Sequence, residues 1–349
     1  MRVQMYDLET ERAADEIRRL DARRVLVQLP DGLRPGGLTL ARELRQLTGA
    51  EVILSGDSCY GACDLALTQA DAVGADLIIH YGHSPMLQTP GTPVLYIEAR
   101  IGFDAETLIA QARPHLKDWG TIGLTTTVQH IHKLEEIAES LRKAGHDAII
   151  GTAGGRVAHD GQILGCDYTT AQTISGRVDG YLYIGAGVFH PIGLAIATGR
   201  PVVKANPYTM TAELLDDRQV TRTAMKRMAA IEAAKRATRF AVIVSLKPGQ
   251  LQLEAALAMR ERLEKAGKEA TVIVLDEVGP IQLGNFTEAE AFVETACPRI
   301  ALDGIAELHK PILTLAEALV ALGEMEWEEL WGRNYFSVSH DHMVYNDEM

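Results

Sequence analysis

Three cysteines, Cys63, Cys166 and Cys297, lie far apart in the chain. Each sits beside small or turn-forming residues, as Gly61-Ala62-Cys63, Leu164-Gly165-Cys166 and Ala296-Cys297-Pro298. Each also follows a predicted β-strand, so three separate βα loops deliver the thiols. They can meet only if three segments surround one centre. Three thiolates on a metal or cluster leave one coordination position open, and chemistry happens at an open position. A single free cysteine often behaves as a small buried hydrophobe; three in corresponding loop zones point to a shared site. Cys59 adds a CxxxC spacing with Cys63, but the CxxxCxxC signature of ordinary radical-SAM enzymes fails because residue 66 is Ala66. Zinc held by Cys₃ and a histidine is the alternative, with His80, His83, His130, His132 and His190 in the same loops. Zinc ligands usually come in close-spaced pairs, whereas these cysteines are single, which favours a [4Fe–4S] cluster with one free iron. His130 and His132 stand two apart and would face opposite ways on a strand, so they are poor joint ligands.

The elements that must position these thiols repeat three times. Apolar runs predict strands at 25–30, 51–56, 77–82 and 94–99, then at 121–126, 147–152, 180–186 and 201–206, and again at 240–245, 269–275, 291–297 and 311–315. Between the first two strands of each set lies an amphipathic helix (36–47, 131–144 and 251–266), ending near Gly49, Gly145 and Gly267. "Leu-Arg-Lys-Ala-Gly" and "Leu-Glu-Lys-Ala-Gly" close the second and third of these helices. The repeat predicts an α/β protein of three similar parallel-sheet βα domains arranged around a central site. Their spans are 1–105 with Cys63, 106–210 with Cys166 and 211–331 with Cys297, followed by a C-terminal tail at 332–349. Ligands of such sheets gather beyond the carboxyl ends of the strands.

Composition sets outer bounds. The chain has 349 residues, 47% hydrophobic and 23% charged, with a formal net charge of -13. That charge argues against direct nucleic-acid binding, which draws on Lys and Arg against phosphates. No apolar run is long enough to span a membrane, and the N-terminus lacks a signal-peptide pattern. A cytoplasmic protein with reduced thiols is the expectation.

Longer motifs surround the cysteines. Asp57-Ser58-Cys59-Tyr60-Gly61-Ala62-Cys63-Asp64 is followed by His80-Tyr81-Gly82-His83-Ser84, Thr125-Thr126-Thr127-Val128-Gln129-His130 and Gly161-Gln162-Ile163-Leu164-Gly165-Cys166. Gly185-Ala186-Gly187-Val188-Phe189-His190-Pro191, Ser245-Leu246-Lys247-Pro248-Gly249-Gln250 and Ala296-Cys297-Pro298-Arg299 complete the set. In this order they resemble the archaeal, homodimeric form of the first-step diphthamide biosynthesis enzymes, an atypical radical-SAM family. The resemblance implies a [4Fe–4S] cluster on Cys63, Cys166 and Cys297, one from each domain, with Cys59 outside the trio. It also implies transfer of the 3-amino-3-carboxypropyl group of S-adenosylmethionine to carbon 2 of a histidine of elongation factor 2, leaving methylthioadenosine. A reductant must then feed the cluster.

Loop residues placed to hold S-adenosylmethionine are Asp31, Gly32, Asp57, His83, Ser84, Gln129, His130, Gly187, His190, Lys247 and Gln250. Gln129 and Gln250 occupy comparable places in two repeats. Plainer roles compete: Asp31-Gly32 as a turn, His83 and Ser84 as helix caps, Lys247 as a solvated charge. The tail, with His340, Asp341 and His342, reads as a surface end within reach of a protein substrate. Two other readings stand beside the transferase: a quinolinate-synthase-like [4Fe–4S] dehydratase, from which the Tyr-Gly-Ala-Cys and His-Tyr-Gly-His-Ser motifs point away, and a non-catalytic zinc or cluster scaffold.

Overall fold

The structure is a computed structural model that describes residues 5–87 and 91–336. His340, Asp341 and His342 lie outside the described residues, as do the first four.

Thirteen strands among the described residues form three sheets. β1 (Arg24–Gln28), β2 (Glu51–Leu54), β3 (Leu77–Tyr81) and β4 (Val94–Ile97) pair in the order β2-β1-β3-β4, all parallel. β5 (Thr121–Thr126), β6 (Asp147–Ile150), β7 (Gly180–Ile184) and β8 (Val202–Asn206) repeat that order as β6-β5-β7-β8. β9 (Thr211–Leu214) adds an antiparallel edge to β8. β10 (Arg239–Ser245), β11 (Glu269–Leu275), β12 (Ala291–Glu294) and β13 (Ile312–Thr314) give β11-β10-β12-β13. The twelve expected strands are all present. β9 was not expected: its residues are mostly exposed, so no apolar alternation announces it.

Strands β3 and β7 are buried along their whole length, as parallel strands covered on both faces must be. The helices Gly37–Thr48 and Leu253–Lys265 are followed by Gly49 at φ 74° and Gly267 at φ 77°. Both glycines adopt the left-handed turn that closes a helix without a Cβ penalty. The second repeat's helix is in two pieces, a 3₁₀ segment at Val128–Lys133 and an α-helix at Leu134–Lys143.

One side chain recurs at the same place in each sheet. Asp76, just before β3, accepts the backbone N–H groups of Arg23 and Arg24 at 2.9 and 2.8 Å. Asp179, just before β7, accepts those of Gly120 and Thr121 at 2.7 and 2.9 Å. Glu290, just before β12, accepts those of Thr238 and Arg239 at 2.6 and 3.3 Å. These bonds favour the ionised form and hold all three carboxyls below their ordinary values, Glu290 at about 2.

The second and third sheets share one apolar core, which takes in Tyr168, Tyr181, Val244, Leu313 and Tyr335. Residues 332–336 therefore do not belong to a surface tail. Tyr335 and Phe336 are buried, and the Phe336 ring packs 4.6 Å from that of Tyr168. At the edge of this core Arg227 bonds Glu317 twice, at 2.8 and 2.6 Å, and reaches the carbonyls of Ala301 and Ile312 at 2.5 and 2.6 Å. The Tyr335 hydroxyl donates to the same carboxylate at 2.7 Å.

Candidate metal and cofactor site

Residues from beyond the carboxyl ends of strands in all three sheets wall a cavity of about 670 Å³, room enough for a cofactor-sized ligand. Cys63, Cys166 and Cys297 all line it, each half-buried. Cys63 follows β2, Cys166 follows β6, and Cys297 follows β12, so two thiols leave second strands and the other a third.

Each thiol is fixed by its own local device. Cys63 lies under the 247–250 turn: its carbonyl accepts the Gly249 N–H at 2.8 Å, and its sulfur accepts the Gln250 amide at 3.3 Å. A Cβ on Gly249 would stand only 2.6 Å from the Cys63 Cα, so glycine permits this approach. Cys166 rides a tight turn in which Leu164 and Asp167 bridge, while the Asp167 carboxylate accepts the N–H groups of Arg156 and Thr169 at 2.7 and 2.8 Å. Cys297 caps the helix Pro298–Asp303, and the buried Glu294 accepts its N–H at 2.8 Å.

Burial makes all three thiols harder to ionise and raises their pKa above the ordinary value, Cys166 to about 11. Their mutual repulsion raises Cys166 and Cys297 further, while Arg156 pulls Cys63 and Cys166 back. A bound cation reverses this balance, because a coordinating thiol gives up its proton. The spacing discriminates between ions. Among the described residues, the one set of three ligand-type side chains with all ligand atoms within 4.8 Å is Cys59, His80 and His83. Cys63, Cys166 and Cys297 come singly from three sheets, whereas a structural zinc usually draws its ligands in close-spaced pairs. Three soft thiols that leave one iron free suit a [4Fe–4S] cluster, so the donor set fits a cluster better than zinc.

Six of the expected loop residues join the cysteines in the wall: His83, Ser84, Gln129, His190, Lys247 and Gln250. Ser84 accepts the Gln162 amide at 2.8 Å, and the Gln129 amide donates to the Gly82 carbonyl at 2.5 Å. Burial lowers His83 to about 4 and, with Arg299 nearby, His190 to about 3, so both rings are neutral. Lys247 is no solvated charge. It pairs with the buried Asp64 at 3.0 Å and with Glu277 at 3.4 Å, and lies 5.3 Å over the Tyr60 ring. Burial opposes its charge, but the two carboxylates overcome that and hold it above the ordinary lysine value.

The other five lie outside the wall. Asp31 is 81% exposed and pairs with Arg34 at 3.2 Å. Gly32 next to it is exposed, with nothing near its would-be Cβ. Asp57 points outward and accepts the Gln69 amide. His130 turns into the protein, its ring edge-on to Phe103 and Tyr208 at 5.8 and 5.6 Å. Gly187 is exposed at φ 78°, a turn residue ahead of the helix Phe189–Thr198. Conversely, the wall includes Arg156 and Arg299, which did not stand out in the sequence. Arg299 stacks 3.9 Å over Phe189 and grips Asp303. Its place in Ala-Cys-Pro-Arg was the available signal.

Fold and site together define a three-sheet α/β protein with a cavity that draws one thiol from the loops of each sheet. The family model described as "Putative diphthamide synthesis protein" matches residues 29–332. The chain belongs to that family. It is 39% identical over 332 residues to the 2-(3-amino-3-carboxypropyl)histidine synthase of Pyrococcus horikoshii, covering 94% of this chain and 95% of that protein. It is 30% identical over 346 residues to subunit 1 of the Schizosaccharomyces pombe synthase, covering 96% of this chain and 78% of the subunit. The crystal structure of Dph2 from Pyrococcus horikoshii with a 4Fe-4S cluster superposes with a TM-score of 0.85 at 38% identity, over 92% of this chain and 93% of that one.

Proposed function

We propose that the protein transfers the 3-amino-3-carboxypropyl group of S-adenosylmethionine to a histidine of elongation factor 2, the first step of diphthamide biosynthesis. The observation that carries this reading is the convergence of Cys63, Cys166 and Cys297 on one cavity. These three residues would hold a [4Fe–4S] cluster, which would supply the electron for cleavage of the sulfur–Cγ bond. The chain's own residues contribute placement. Gln250 bonds the Cys63 sulfur, and Arg156 adds positive charge beside Cys63 and Cys166. Neutral His83 and His190, with Ser84 and Gln129, offer hydrogen bonds without net charge to the adenosine part. Selectivity rests on orientation: the γ-carbon, rather than the ribose 5′-carbon, must face the electron source.

Around this reaction we place a homodimer in the cytoplasm, a reductant for the cluster, and three domains at 1–105, 106–210 and 211–331, the last extended to Phe336. No helix of the described residues is long and apolar enough to cross a membrane.

An anaerobic assay with dithionite, S-adenosylmethionine and elongation factor 2 tests the proposal. The expected products are methylthioadenosine and a heavier factor; 5′-deoxyadenosine as the main product would overturn it. Cys63→Ala, Cys166→Ala and Cys297→Ala should each abolish turnover, whereas Cys59→Ala should retain most of it. Full activity in Cys63→Ala refutes its place as an iron ligand.

A further inference from the structure

We infer that Cys59, His80 and His83 form a second, mononuclear metal site, filled by zinc, next to the cavity of the three thiols. One sulfur and two imidazole nitrogens, all within 4.8 Å of one another, make the ligand set. Zinc accepts thiolate and neutral imidazole together, and three protein ligands leave a fourth position for water or another small ligand. Harder divalent ions are disfavoured: the set lacks the carboxylate oxygens that magnesium or calcium requires.

The lone pair of His80 is aimed by a chain of bonds. The Gln28 amide nitrogen donates to the Asp64 carbonyl at 2.7 Å, which fixes the orientation of that amide. Its oxygen then faces the Ala66 N–H at 3.2 Å and His80 Nδ1 at 2.8 Å. An amide oxygen can only accept, so Nδ1 carries the proton and Nε2 presents its lone pair. Such a bond from the rear nitrogen is what orients metal-binding histidines generally. Nε2 lies 2.9 Å from His83 Nδ1, where a proton now bridges the rings. Zinc in place of that proton requires the nitrogens to part to about 3.3 Å, from Zn–N bonds of about 2.05 Å in a tetrahedron. A small rotation of the His83 ring, which lies on the cavity wall, provides this. His80 is fully buried and Cys59 is 7% exposed, so these two ligands are held by packing.

The exchange balances simply. Zinc enters as the dication, the Cys59 S–H gives its proton to water as the Zn–S bond forms, and the His83 proton moves from Nδ1 to Nε2. The ion ties the loop bearing Cys63 to the end of β3. It also occupies Cys59, so that Cys63 alone of the pair remains for iron. That last consequence rests on the cluster reading; the zinc site itself does not.

The test is metal analysis of the full chain after anaerobic cluster loading and equilibration with zinc, followed by zinc K-edge absorption. The expected result is equimolar zinc with one sulfur and two nitrogen neighbours. Cys59→Ser should weaken zinc binding at least 100-fold with iron content and circular dichroism unchanged. Gln28→Ala, which frees the His80 ring, should weaken it about 10- to 100-fold. Absence of zinc, or zinc unaffected by both variants, overturns the site. So does zinc that disappears with Cys63→Ala, Cys166→Ala or Cys297→Ala but survives Cys59→Ser, which would place it among the cluster thiols. Loss of iron with zinc intact would instead count against the cluster reading alone.

Discussion

The approach of Gly249 to Cys63 gives the sharpest test of how the site is built. In Gly249→Ala the new methyl would stand 2.6 Å from the Cys63 Cα, 2.7 Å from its Cβ and 2.9 Å from the Met86 Cε. Ordinary contact begins near 3.4 Å, so the Cys63 backbone must retreat by about 0.8 Å. Gly249 has no left-handed φ, so alanine adds no backbone strain of its own. Overpacking of this kind costs about 1–3 kcal/mol, and losing the Gly249 N–H to Cys63 carbonyl bond adds about 1 kcal/mol. A net destabilisation of about 2–4 kcal/mol follows. The effect on chemistry should be of similar size, because a misplacement near 1 Å at a reacting centre costs on the order of 10²-fold, about 2.7 kcal/mol. Iron content after anaerobic loading and the rate of methylthioadenosine release measure both. Met86→Ala in the same chain should not rescue, since it relieves only the 2.9 Å contact. Gly32→Ala, where nothing lies within 4 Å, serves as the neutral control. Normal iron loading and turnover in Gly249→Ala would refute the idea that this contact sets the position of Cys63.

Arg227→Met strips the cation from the fully buried Glu317 and should cost about 3–5 kcal/mol in urea unfolding; a loss below about 1 kcal/mol would show the pair to be dispensable. Glu290, held at about 2, contributes stability that is fully present above its unfolded value of about 4.5 and is lost as pH falls toward 2. Glu290→Gln should therefore flatten the acid limb of the stability curve between those values; an unchanged limb contradicts the assigned bonds. Asp64→Asn combined with Lys247→Met should be more stable than Lys247→Met alone, because the single change leaves a buried carboxylate without its cation. Equal unfolding midpoints would argue against the pair.

Strands and thiols were legible because each leaves a local mark. Val25–Val27 and Val242–Val244 are runs that suit a covered sheet, and the cysteines stand in loops after other strands, Cys297 three residues past β12 but Cys63 and Cys166 nine and sixteen past β2 and β6. Side-chain direction within a loop leaves no comparable mark. His83 and His130 sit in similar loops after strands, yet one joins the cavity wall and the other is clamped between Phe103 and Tyr208. Rings from distant segments decided that difference. Lys247 shows the same limit: its partner Asp64 belongs to another sheet, 183 positions away. β9 was missed for the opposite reason, since an exposed edge strand is held by backbone bonds to β8 and needs no apolar pattern.

Asp76, Asp179 and Glu290 occupy one address in three sheets, whereas the thiols do not: Cys63 and Cys166 follow second strands and Cys297 a third. A gene copied in tandem would begin with every residue in register. Here the carboxylate that starts each central strand keeps its place, while the cavity thiol follows the second strand in two sheets and the third strand in the other. What each sheet needs in order to fold recurs in place. What the three need jointly is set only by where the loops meet, so the carboxylates mark the structural repeat and the cysteines do not.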